Sequence, residues 1–245
     1  MSVALRSYGL LFRWQLLRMR RQIPLLVVIQ LALALGVVYG LAFLLPNIDS
    51  RSALFLATGA PTLTLLLLGL TAVPQEVSQA KLSGRQAYLE TFPVPRLAGP
   101  AAEVSFWLVV QLPGTFLALL VAAARFDFAL RPNAAVVPAF VLVALCGATL
   151  GYAIAMVARP ETAQQIASFI SIGILLFSPI NFPIDRLPGF LAAIHRVLPI
   201  TYMADLTRWS LTGHAEENVA LAFAVVLAWC AAGIAISWRV AVRRG

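Results

Sequence analysis

A chain of 245 residues that is 61% hydrophobic and 11% charged, with a mean hydropathy of +0.89, lies outside the soluble range, where apolar usage is about half and charged usage about a quarter. The bilayer is its expected solvent, and at roughly 20 apolar residues per crossing the length holds about six helices and no large soluble domain. The net charge of +8 does not point to nucleic acid, because the arginines flank apolar runs and form no basic surface interleaved with aromatics.

Residues 5–21 mix Tyr8, Leu11, Phe12, Trp14, Leu16 and Met19 with five arginines, which predicts a helix lying in the membrane interface with its basic residues toward anionic headgroups. Those arginines interrupt the approach to the first apolar run, and no small-residue cleavage site follows it. The first helix is therefore expected to be retained and not to act as a secretory signal.

Six apolar runs follow, at 24–45, 53–73, 104–124, 134–158, 164–181 and 219–238. The expected fold is an all-α integral membrane protein, a single permease-like domain over 1–245 with six crossings. The long polar connection 74–100 separates the second and third runs. Residues 183–214 are too polar to cross alone and are expected to be re-entrant or interfacial, with neighbouring helices satisfying their backbone.

With six crossings both termini share one side. That side receives twelve Lys and Arg residues, including the five at the N-terminus, Lys81, Arg85, Arg96 and Arg159, and the other side receives six. The excess places both termini in the cytoplasm.

Small residues four apart, Ala32, Gly36 and Gly40 in the first run and Gly147 and Gly151 in the fourth, permit close helix approach within one subunit or across a dimer. Pro61, Pro113 and Pro138 are candidate kinks.

The chemistry of the runs is spare. None has Asp, Glu, Lys, Arg or His in its interior, only Gln30, Gln111 and scattered hydroxyls, which disfavours a carrier that binds and releases a proton at the midplane. No GxSxG, HExxH or GxxxxGK[ST] occurs, so the chain is not expected to be an enzyme or to cradle a nucleotide phosphate. Cys146 and Cys230 read as packing residues, and His195 and His214 as ordinary interfacial ones, with no metal site. If ATP drives this chain, a partner binds it.

Two motifs carry a family resemblance. The connection reads Val73-Pro74-Gln75-Glu76, then Lys81, Gly84, Arg85, Leu89 and Phe92-Pro93-Val94-Pro95-Arg96. Near the C-terminus stand Phe182-Pro183, Leu187-Pro188, Leu198-Pro199, Thr201-Tyr202, Asp205 and Arg208. In this order the two sets resemble the permease subunits of type-2 ATP-binding-cassette exporters of the bacterial multidrug or lipid export type. The chain departs from the family at Arg85-Gln86, where a Thr-Leu pair is common.

The resemblance implies a coupling segment opened by Glu76, with Lys81, Gly84, Arg85 and Glu90 meeting a cytoplasmic ATPase subunit that holds the ATP and Mg. It implies a second copy, or a related permease, as membrane partner in the cell membrane. It also implies a path faced by the second and fifth runs through Phe55, Thr58, Thr62, Ser168, Ser171, Phe177 and Ser178. That apolar lining with hydroxyls and no charge fits an amphipathic drug, lipid or lipid-linked molecule. The competing expectation is a stand-alone secondary transporter or channel.

Overall fold

The computed structural model describes residues 3–40, 43, 50–95, 98–126 and 132–243, and no strand occurs among them. In chain order come α1 (Val3–Met19), α2 (Ile23–Leu35, continued by a π-helical turn, Gly36–Gly40), α3 (Ser50–Leu82), α4 (Arg85–Glu90) and α5 (Ala98–Phe126). Then follow α6 (Val136–Val157), α7 (Pro160–Phe177), a 3-10 turn (Ile184–Arg186), α8 (Gly189–Val197), α9 (Pro199–Thr212) and α10 (Val219–Arg243).

Among the described residues, five helices are long and apolar enough to cross a bilayer, over Ile23–Gly40, Ser52–Leu82, Ala98–Arg125, Val136–Val157 and Val219–Val240. The expected fifth crossing, α7, is not among them, because Glu161, Thr162, Gln164 and Gln165 fill its first two turns and its apolar run starts only at Ile166. Composition therefore supports a multi-pass chain, with five of the six expected crossings among these candidates. Residues 41, 42, 44 and 45 at the end of the first expected run lie outside the described residues.

The central element is α3, which packs against α2, α5, α6, α7 and α9 and is buried on nearly all sides along its apolar length. Its 33 residues span about 50 Å at 1.5 Å per residue, more than the ~30 Å of a hydrocarbon core. The second run does not end near Val73 as the polar residues beyond it imply. The helix continues through Pro74 to Leu82, and Pro74 lies against Gly151 of α6. What stops α3 is Gly84, whose φ of 70° is the left-handed conformation that only glycine adopts readily and which turns the chain into α4.

The α3–α6 contact is a seam of glycines. A Cβ on Gly69 would lie 2.6 Å from the Ala148 nitrogen and the Gly147 carbonyl carbon, and one on Gly151 would lie 2.2 Å from the Gly69 carbonyl oxygen. A Cβ on Gly147 would lie 3.2 Å from the Leu66 carbonyl oxygen. Two of the four glycines named from spacing thus pack within the chain, whereas a Cβ on Gly36 or Gly40 would meet nothing within 4 Å. Gly69, with no small residue four positions away, is the partner that spacing did not show. Pro138 sits in the first turn of α6, where its missing N–H costs nothing.

α1 lies along α5, burying Gln15 and Met19 and exposing Leu5, Leu10 and Leu17 beside Arg6 and Arg13. At the other end of α3, the expected re-entrant stretch forms the 3-10 turn, α8 and α9. Here α9 is buried almost throughout against α3, α6 and α10, despite its Thr, Tyr, Asp and Arg residues.

Candidate functional site

Where α3 extends beyond its apolar run, Glu76 accepts two ion pairs at 2.5 Å, from Arg18 on α1 and from Arg85 on α4. Arg85 Nη2 also donates to the Glu76 carbonyl oxygen at 3.2 Å. Trp14 lies beneath both guanidiniums, 5.3 Å from Arg18 and 6.0 Å from Arg85. One turn of α1 further, Gln15 Nε2 donates to Glu103 on α5 at 2.8 Å, and Glu103 also accepts from the Trp107 indole at 2.9 Å. Lys81 donates at 2.5 Å to the Ala155 carbonyl in the last turn of α6, where a cation complements the helix dipole.

This arrangement divides the residues expected to meet a partner. Glu76 and Arg85 face inward and brace α4 against α1 and α3, while Lys81 ties the end of α3 to α6, and Glu76 keeps only 13% of its side-chain surface. Gly84 supplies the turn. The side chain of Glu90, and Arg96 entirely, lie outside the described residues. The outward surface is apolar instead: Leu82, Tyr88 and Phe92 are exposed, Tyr88 by 64%, and the Tyr88 and Phe92 rings meet edge to face at 5.2 Å. Tyr88 carries no motif, and only its pairing with Phe92 on the folded segment marks it.

The opposite end of α3 is closed by the chain that leaves α7. Arg208 and Asp205 of α9 form an ion pair at 2.6 Å with side chains only 2% and 3% exposed. The guanidinium lies 3.8 Å from the Phe55 ring centroid, and its Nη2 donates to the Ile180 carbonyl at 3.4 Å. Arg186 Nη2 donates to Ser52 Oγ at 3.3 Å. Gly59 leaves the space that Asn181 occupies, since a Cβ there would fall 2.3 Å from Asn181 Oδ1. Burial pushes the neighbouring His195 below the ordinary imidazole range, leaving it a neutral packing group at pH 7.

The residues expected to line a path separate into three groups. Phe55, Thr58 and Thr62 are buried inside the chain, and the hydroxyls of Thr58 and Thr62 donate to the carbonyls of Leu54 and Thr58 four residues back, each at 2.8 Å. Ser171 and Ser178 are buried with unpartnered hydroxyls, while Ser168 accepts from Gln164 at 3.4 Å. Phe177 is exposed with Phe169, Ile172 and Leu176 on an outer face of α7. Because each threonine hydroxyl is satisfied by its own helix, Thr58→Val and Thr62→Val are expected to change transport less than about twofold. A transport assay in vesicles checks this, and a tenfold loss would show that the two hydroxyls act on the path.

No curated protein matches the sequence. The family model described as ABC-2 type transporter matches residues 6–212, a range that begins in α1 and takes in both the braced segment and the Asp205–Arg208 closure. The chain belongs to the ABC-2 type transporter family and is the membrane subunit of an ABC transporter.

Proposed function

We propose that this subunit is the membrane half of an exporter driven by a separate cytoplasmic ATPase, which binds the ATP and Mg, and that two permease chains assemble around the path. The observation that carries the reading is the braced α4 segment: a short helix locked to α1 and α3 through Glu76, presenting Leu82, Tyr88 and Phe92 outward. A rigid mount with an exposed aromatic pair suits a contact that must transmit movement, and aromatic anchors dominate the energy of such contacts.

In this arrangement α7 is the sixth crossing, both termini are cytoplasmic, α8 and α9 form the re-entrant element, and α1 rests on the inner leaflet. The excess of cationic residues beside the α1 and α4 ends supports this orientation. The apolar outer face of α7, with Phe169 and Phe177, turns toward the partner permease and an amphipathic substrate, a drug, lipid or lipid-linked molecule.

Gentle capture of the tagged chain from native membranes tests the proposal. The intact chain is expected to bring down a soluble ATPase, and Tyr88→Ala with Phe92→Ala to reduce its recovery at least about tenfold, the equivalent of ~1.4 kcal/mol. Phe190→Ala, exposed at the opposite end, should leave recovery unchanged. No ATPase in any mild detergent would favour a transporter that works alone.

A further inference from the structure

The contact between α6 and α10 holds two groups that the transport reading does not use. Gly233 of α10 lies so close to α6 that a Cβ there would fall 3.1 Å from the Thr149 carbonyl oxygen and 3.2 Å from its carbon. One turn earlier on both helices, with the same sequence offset, stand Cys230 and Cys146. The Gly233–Thr149 and Cys230–Leu142 contacts keep the same order along both helices, so the helices run parallel and the two cysteines stand at a similar level, one turn from the close backbone approach.

Cys230 Sγ lies 3.9 Å from the Leu142 carbonyl, one turn before Cys146. Both cysteines belong to one buried apolar cluster that takes in residues of both helices. Both are reduced and sealed, Cys146 at 0% and Cys230 at 3% exposure. Each also sits near the middle of its helix, about 15–20 Å from either end at 1.5 Å per residue.

We propose that Cys146 and Cys230 are an intramembrane dithiol that a lipid-soluble two-electron oxidant converts to a disulfide, joining α6 to α10. A glycine that lets the two helices approach closely one turn away favours the short Cα separation, about 4.4–6.8 Å, that a disulfide needs. With a quinone dissolved in the bilayer, the two thiols give up two electrons and two protons, the sulfurs bond, and the quinone leaves as quinol. With a lipophilic aromatic disulfide, one thiol first displaces an aromatic thiol to form a mixed disulfide. The second thiol then attacks that bond and releases another aromatic thiol.

The apolar setting sets the oxidant class. The route to the pair runs through lipid along α10, whose flanks are largely exposed, and a charged oxidant confined to water has none. The bond would fasten α10, a peripheral helix as little buried as α2, to the glycine-packed core.

The full-length chain in native membranes is treated with 4,4′-dithiodipyridine or, separately, with glutathione disulfide, then alkylated with N-ethylmaleimide and weighed intact. The expected result with the lipophilic reagent is a chain lighter by two hydrogens, without maleimide or pyridyl groups, and a peptide pair linking Cys146 to Cys230. Cys146→Ser and Cys230→Ser should each retain one pyridyl group. Glutathione disulfide should leave both thiols open to maleimide after unfolding in detergent. A wild-type chain that keeps a pyridyl group on each cysteine, or whose thiols resist the lipophilic reagent until the chain is unfolded, overturns the pairing. Equal oxidation by glutathione disulfide overturns the lipid route.

Discussion

Gly69→Ala is expected to lower the thermal unfolding midpoint of the purified chain by about 6–12 °C, corresponding to roughly 3 kcal/mol, while Gly36→Ala leaves it within about 2 °C. The asymmetry follows from what each added methyl group meets. At Gly69 it enters the α6 backbone at 2.6 Å, where no side-chain rotation can make room, so the two central helices must separate along their length. At Gly36 it enters open space and removes a residue of poor helix propensity. Gly151→Ala should match Gly69→Ala, because its methyl would collide with the Gly69 carbonyl oxygen from the other side. Circular dichroism through a thermal ramp in detergent decides the matter. Equal midpoints for Gly36→Ala and Gly69→Ala would show that the seam has slack.

The other large effect is expected at the buried ion pair. Arg208→Ala leaves the Asp205 carboxylate in a dry interior without its partner, and breaking such a pair costs about 3–5 kcal/mol. Arg208→Lys keeps the charge but loses the planar group that lies over Phe55 while also reaching the Ile180 carbonyl, so it should recover only part of the loss. The telling variant is the double change Arg208→Met with Asp205→Leu, which removes both charges together. It should be more stable than Arg208→Ala, since two apolar groups of similar volume need no compensation. The same thermal ramp measures all three, and a double variant as unstable as the single one would mean that shape, not charge, holds the closure.

The membrane class and most of the crossings were legible because apolarity is carried residue by residue and adds along a run. The end of α3 was not. Pro74, Gln75 and Glu76 read as an exit from a helix, and only contact with α6, through Gly151 and through Lys81 on Ala155, shows why the helix continues. Spacing exposed the glycines of α6 but concealed Gly69, whose neighbours are leucines, since a seam needs its pattern on one side only. Thr58 and Thr62 lie on one helical face, as spacing four apart requires, yet nothing local states whether that face meets a path or the core.

The brace was half legible. Glu76 and Arg85 stood out by motif, but their joint partner Arg18 lies far away in sequence. Sequence shows the charges on the segment but not that they pair with one another in the folded chain.

The glycine seam also sets a mechanical ratio. Gly69 is where α3 is clamped most tightly to its neighbour, with Glu76 seven residues to one side and Phe55 fourteen to the other, or about 10 Å and 20 Å at 1.5 Å per residue. A tilt of α3 about that clamp acts as a lever with unequal arms, moving the Phe55 end about twice as far as the Glu76 end. A tilt of about 5° displaces the braced end by roughly 1 Å and the closed end by roughly 2 Å, comparable to the 1–2 Å helix shifts of known switching transitions. Pro61 lies in the longer arm, and any bend there lowers the gain. The ratio follows from the position of one residue without a side chain.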